Sequence, residues 1–385
     1  MNISNLQKGA VRLGAAAALM IAALLAGCAS SPPPRAPSTG GGSGAGGMSY
    51  PALNGSSRWV AASWTDLPGF DTDTLGPAWL AWVNSCARPL TVFAPFCPEI
   101  RALSIADNDT QRQWLQSHLQ PYRIENTEGA TRGLLTSYYE PVFTAQRQAG
   151  GAYQFPLYRP PAGWTARGGW YARQEADTQP QAQAELAGRA IAWFDNPIDP
   201  LVLQIQGSGQ VRIDEGGGQI TSARLAYAGT NQKPYQSVSK WLAANTSLRN
   251  YSWPAIKQWA QLHPDLVPQM LWSNPRLVFF REEDLPTDSS AEGPRGAQGV
   301  PLTAGRSIAV DPGSIPYGAP VWLASQGAEN LQRLVIAQDT GSAIRGAVRA
   351  DFYAGAGPDA GNWANRIHQP LWLWILWPVG EPVPR

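Results

Sequence analysis

Three short apolar runs close to the end of the chain each stop at an aspartate: Ser307-Ile-Ala-Val-Asp311, Leu334-Val-Ile-Ala-Gln-Asp339 and Ala347-Val-Arg-Ala-Asp351. Runs of four to six apolar residues read as buried strands, and a strand that ends in a carboxylate at a barrel rim aims that acid into a cleft. Three such strands would converge their acids on one region. Gly341 and Gly346 lie between the last two acids and leave room for a close ligand. Local turn chemistry also accounts for Asp311 before Pro312 and for Asp339 before Thr340-Gly341, because a short carboxylate bonds its own downstream backbone. Asp351 is followed by Phe352-Tyr353, so no turn explains it.

The rest of the chain favours strands as well. Thirty-nine glycines and 34 prolines in 385 residues imply many short strands and loops in place of long helices. Segments at Leu134–Phe143, Tyr153–Tyr158, Leu201–Gln206, Gln210–Ile213, Arg276–Phe280 and Leu371–Trp377 are expected to be strands. Helical spacing marks a segment capped at Asp109-Thr110 and others at Pro234–Ala243, Trp253–Leu262 and Pro264–Trp272. Seventeen tryptophans are mostly core, with some free to stack on sugar faces. A net charge of +1 gives no basic surface for nucleic acid. Three cysteines and three scattered histidines give no metal-ligand spacing, so no metal and no cofactor is expected. The chemistry must come from carboxylates and hydroxyls.

The N-terminal end fixes the compartment. Lys8 and Arg12 precede an apolar stretch from Leu13 to Leu25, and Leu25-Ala26-Gly27-Cys28 places small residues at a cleavage point. This reads as a lipoprotein signal (1–27), with Cys28 acylated as the new N-terminus; the run is too short to span a bilayer. Ala29-Ser30 after it, with no aspartate next to Cys28, favours the periplasmic face of the outer membrane. Residues 28–49 are rich in Ser, Pro, Gly and Ala and read as a flexible tether. In an oxidising periplasm Cys86 and Cys97 could pair.

Six motifs in order then carry a family resemblance: Thr136-Ser-Tyr-Tyr-Glu-Pro141, Gln204-Ile-Gln-Gly-Ser-Gly209, Tyr227-Ala-Gly-Thr-Asn231, Asn274-Pro-Arg-Leu-Val-Phe-Phe280, Gly299-Val-Pro-Leu302 and the aspartate-rich tail. Together, over roughly 132–377, the chain resembles the membrane-bound lytic murein transglycosylase A family. The resemblance implies a mainly β fold: a double-psi β-barrel carrying the three aspartates (50–141 and 275–385), a second, smaller β-barrel inserted at 142–274, a few short helices and a glycan groove between the barrels. It implies cleavage of the β-1,4 bond between N-acetylmuramic acid and N-acetylglucosamine with formation of 1,6-anhydromuramyl ends, and peptidoglycan strands as the partner, beside wall-synthesis proteins.

An ordinary glycosidase needs two carboxylates, whereas a lytic transglycosylase uses the muramyl C6 hydroxyl as its nucleophile, so one carboxyl can serve as acid and then as base. The family match gives that role to Asp351. Its pKa should be raised by burial or by a like charge, with Asp339 the natural neighbour. Thr136 and Tyr138 are expected on one wall of the groove and Gln204, Gln206 and Ser208 on the other. Glu140 and Asp311 have no role assigned by sequence. The alternatives are a true peptidoglycan hydrolase with Asp339 or Glu140 activating water, and a non-catalytic expansin-like wall-binding module, against which the Asp351 match and the inserted domain both argue.

Overall fold

The computed structural model describes residues 57–285 and 293–384, so the signal segment, the tether and Cys28 lie outside the described residues. Two sheets organise the rest. The first contains β1 (Arg58–Ala61), β2 (Leu119–Glu125), β3 (Gly133–Glu140), β10 (Ser307–Val310), β11 (Pro320–Ser325), β12 (Leu331–Asp339), β13 (Arg349–Ala356) and β14 (His368–Pro378). Their order is β1-β2-β14-β11-β12-β10-β13-β3, and β3 pairs back onto β14, which closes six strands into a barrel. Closure removes the unpaired edges that an open sheet would expose. The second sheet holds β4 (Val142–Gln146), β5 (Phe155–Tyr158), β6 (Ala190–Phe194), β7 (Ser208–Gly216), β8 (Gln219–Thr230) and β9 (Val278–Asp284), in the order β5-β6-β4-β7-β8-β9. Its edge strands β5 and β9 approach each other, so this sheet is nearly closed as well.

Burial explains why the tail strands read as unbroken apolar runs. Every residue of β10 and β11 is buried, because the barrel is filled within and covered without. The cover is a helical cap of α1 (Gly76–Ser85), α2 (Cys97–Ala102) and α3 (Asn108–His118), whose Trp79, Trp82 and Trp114 share one core with Trp322, Val335 and Ile375 of the strands. Asp107, a little before the expected cap, accepts from Thr110 N at 2.8 Å and starts α3. Cys86 and Cys97 are bonded, with Cα atoms 5.6 Å apart, and tie the end of α1 to the start of α2.

The second sheet carries its own helices: α4 (Arg173–Thr178), α5 (Pro180–Leu186), α6 (Ile198–Gln206), α7 (Val238–Asn245), α8 (Trp253–Leu262) and α9 (Val267–Trp272), while α10 (Gly357–Ala364) packs on β3 and β13 of the barrel. Two expectations are corrected here. Leu201–Gln206 is the body of α6 and not a strand. Leu-Val-Leu-Gln-Ile-Gln satisfies both periods, and the helix wins because Ile198, Leu201 and Val202 bury one face while Asn196 Oδ1 accepts from the backbone of Ile198 and Asp199. The strand after Asn274, read as part of the outer segment 275–385, is β9, which pairs with β8 from Val278 to Asp284 and buries Phe280 in the second sheet's core. The chain leaves the barrel at Pro141, and the next barrel strand is β10.

Candidate active site

Strand register assembles the site. Asp351 on β13 pairs with Thr136 on parallel β3 and with Ala309 on antiparallel β10, while Ala309 also pairs with Asp339 on β12. Asp339, Ala309, Asp351 and Thr136 therefore form one row across four strands and share a face of the barrel. The small side chain of Ala309 leaves the space between the acids open. Asp339 joins this row only because β12 carries a bulge: Ile308 pairs with Ala337 and Ala309 with Asp339, so Gln338 is the extra residue. Its fully buried amide donates to Ala81 O and Ser85 Oγ, both at 2.8 Å, which anchors the bulge from within. A bulge reverses side-chain alternation beyond it, and here that reversal turns Asp339 outward.

The two acids differ in their bonds. Thr136 Oγ1 donates to Asp351 Oδ1 at 2.5 Å, and Thr136 in turn accepts from Arg349 Nη2 at 2.8 Å. No protein group among the described residues bonds Asp351 Oδ2. Burial raises the Asp351 pKa, opposed by the Thr136 bond and by the charge of Arg349. Both oxygens of Asp339 are occupied: Oδ1 accepts from Ala297 N at 2.9 Å and Oδ2 from the Tyr138 hydroxyl at 2.9 Å. Burial pushes Asp339 up to about 6, against those bonds, and the nearby Asp351 charge adds to the rise. Burial thus dominates at both acids, and the expected like-charge coupling acts only as a minor addition at Asp339. Burial first, and Asp339 second, hold the Tyr138 phenol well above its usual value, so it stays protonated and donates to Asp339. Tyr138 packs against Tyr353 at 5.3 Å between ring centres. The aromatic rings beside the acids are these tyrosines, not tryptophans.

The expected far-wall residues sit where β3 leaves the barrel. α6 ends at Gln206, and Gly207 at φ +84° turns the chain into β7. A Cβ on Gly209 would meet Leu203 and the Pro141 carbonyl, so glycine permits this close crossing. Gln206 Oε1 accepts from Tyr139 N at 3.1 Å, three residues along β3 from Thr136 and so about 10 Å away. Gln204 Oε1 instead accepts from Arg173 Nη2 at 2.7 Å and from Val278 N at 3.4 Å, which ties α6 to β9. Ser208 begins β7 opposite Ala226.

The two unassigned acids lie outside the row. Glu140 is fully buried, accepting from Arg224 Nε at 2.7 Å and Gln210 Nε2 at 3.0 Å, and it joins β3 to the second sheet. Asp311 accepts from Gly313 N at 3.0 Å and Gly346 N at 2.8 Å, so it fastens two loops. Arg349 and Tyr353 are site residues that sequence reasoning missed. Their signal was positional, because each stands two residues from Asp351 on the same strand face.

Known proteins divide along the same lines. Residues 134–281 match the MltA specific insert domain and residues 306–377 match the 3D domain. The membrane-bound lytic murein transglycosylase A of Escherichia coli (strain K12) is 31% identical over 282 residues, which cover 70% of this chain and 72% of that one. Among solved structures, the lytic transglycosylase LtgG of Burkholderia pseudomallei is 39% identical with a TM-score of 0.58, covering 88% of this chain and 100% of that one. MltA from Neisseria gonorrhoeae is 25% identical with a TM-score of 0.72, covering 88% and 98%. E. coli MltA with bound chitohexaose is 25% identical with a TM-score of 0.63, covering 87% and 96%. On this agreement of sequence, fold and domain order, the chain belongs to the membrane-bound lytic murein transglycosylase A family.

Proposed function

We propose that Asp351 is the single acid/base of a lytic transglycosylase acting on peptidoglycan, with Asp339, Thr136 and Tyr138 holding and balancing it. The observation that carries this reading is the inequality of the Asp351 oxygens. Oδ1 accepts from Thr136, whose own acceptor site is taken by Arg349, so the acid proton belongs on the unbonded Oδ2. From there it passes to the glycosidic oxygen as the bond from muramyl C1 to that oxygen breaks. The Asp351 carboxylate then takes the C6 hydroxyl proton while O6 bonds to C1, so the proton is recovered and the product is a 1,6-anhydromuramyl end. No water is consumed. Asp339, ionised above about pH 6, stabilises the positive charge that develops at C1.

Hydrolysis would need a second carboxylate with a free oxygen to activate water. Asp339 has both oxygens bonded and Glu140 is fully buried against Arg224, so neither suits that task. Gln206 and Ser208 are assigned to the far wall, beside β3, with Gln204 supporting them from behind. Glycan strands are the substrate, and Cys28 is assigned as the acylated residue that holds the enzyme at the periplasmic face of the outer membrane, where wall-synthesis proteins are at hand. Mass spectrometry of muropeptides released from purified sacculi tests the chemistry: anhydro ends are expected, and reducing ends would replace this reading with hydrolysis. Fractionation tests the anchor: the parent should travel with outer membranes, and Cys28→Ser should not be processed at that site.

A further inference from the structure

A cleft of about 720 Å³ opens on the barrel where β3, β13 and β14 begin, lined by Arg132, Arg345, Arg349 and His368, and no acid lines it among the described residues. Three guanidiniums in one cleft repel one another unless an anion joins them. The surroundings compensate only in part, because the Asp351 charge acts on Arg349 from beyond ion-pair distance. Arg132 and Arg349 have no carboxylate within ion-pair distance among the described residues, and the exposed Arg345 has only Asp311 at 3.8 Å, itself already bonded to Gly313 and Gly346. Arg349 Nη1 is spent on the carbonyls of Leu134 and Ala350, and Nη2 on Thr136, so this residue links the cleft to the row that holds Asp351.

Position relates the cleft to the reaction. Arg349 precedes Asp351 by two residues on the same strand face, a rise of about 7 Å, while Arg132 and Arg345 stand farther back in sequence, before the pairing of Leu134 with Arg349. A glycan backbone is neutral and offers such a cleft hydroxyl and amide acceptors but no countercharge. The muramyl sugar differs, because its lactyl group carries either a free carboxylate or, when amidated, a stem peptide with carboxylates several bonds farther out. Resting on the reading of Asp351 above, we propose that this cleft binds the stem-peptide carboxylates of the muramyl residue being cleaved, with Arg132 and Arg345 as the anion-binding side chains and Arg349 at the mouth. A lactyl carboxylate left after peptide removal reaches only the mouth. The enzyme therefore favours peptide-bearing strands, and the preference resides in Arg132 and Arg345.

The test compares glycan strands bearing tetrapeptides with the same strands stripped by an amidase, scoring anhydro ends on each. Replacing Arg132→Gln together with Arg345→Gln should lower the kcat/KM ratio of peptide-bearing to stripped strands roughly ten-fold, chiefly through KM, as expected for losing a charge-assisted contact. Arg132→Lys with Arg345→Lys should recover part of the ratio, because charge is kept and only the guanidinium fork is lost. The parent's preference should also shrink as salt is raised. An equal loss on both substrates, or an unchanged ratio, overturns the assignment. A parent that leaves no anhydro ends on either substrate would overturn the reading of Asp351 instead, and with it the cleft.

Discussion

Thr136 donates its hydroxyl proton to Asp351 Oδ1 over 2.5 Å, across the parallel pairing of β3 with β13. The bond favours the ionised acid and opposes the effect of burial. Thr136→Val removes it, so the Asp351 pKa should rise further and the basic limb of the pH profile of kcat/KM should move to higher pH. Thr136→Ser should restore the parental limb. A Thr136→Val profile that superimposes on the parent would show that the bond does not set the acid.

Asp351→Asn keeps the size and the Thr136 contact but removes the only proposed proton carrier. Release of anhydro products should fall by about 10²-fold or more while circular dichroism and glycan binding are retained. Asp339→Asn should cost less, on the order of 10-fold, because it removes a stabilising charge and no proton. Turnover of Asp351→Asn within a few-fold of the parent would exclude Asp351 as acid/base.

Asp339 also links stability to pH. Its folded pKa of about 6 lies above the ordinary value of 3.8, so its contribution to stability is complete below about pH 4 and is lost as pH rises through 6. With partial access to solvent the loss should be about 2 kcal/mol. Denaturant unfolding at pH 4.5 and 7.5 should show the parent weaker at the higher pH, with a smaller difference in Asp339→Asn because the buried Asp351 still contributes.

Glu140 joins the two sheets as a fully buried partner of Arg224. Glu140→Ala should destabilise by about 3–5 kcal/mol, since a buried cation loses its carboxylate. Glu140→Ala combined with Arg224→Met should recover much of that, measured by denaturant unfolding. Equal stability of the single variant and the parent would mean that the junction is held by other contacts.

The disulfide closes a span with a sequence separation of 11 in the helical cap. Cys86→Ala with Cys97→Ala should lower stability by about 2–3 kcal/mol. Activity measured well below the melting point should be unaffected, because the packing of Trp79, Trp82 and Trp114 still seats α1 against the barrel strands.

Much of the site was legible because strands announce themselves locally. The runs before Asp339 and Asp351 are four to six residues long and apolar, and the alternation that puts Thr136 and Tyr138 on one face of β3 needs no tertiary information. What was not legible depends on distant partners. Glu140 could not be paired with Arg224 because 84 residues separate them, and Arg349 looked like an ordinary strand residue until Thr136 was placed beside it. Gln204 and Gln206 read as two sugar contacts on a strand, yet on α6 one reaches back to β9 and the other to β3. The like-charge coupling of the two acids depends on a register that includes the Gln338 bulge, which no local pattern marks.

That bulge gives the length of β12 a meaning separate from its composition. Deleting Gln338 alone would leave Asp339 directly after Ala337 and still opposite Ala309, so the acid would keep its face while β12 lost the buried amide that ties it to α1. A shortened β12 would therefore keep its acid in line with Asp351 and lose the anchor that holds it there.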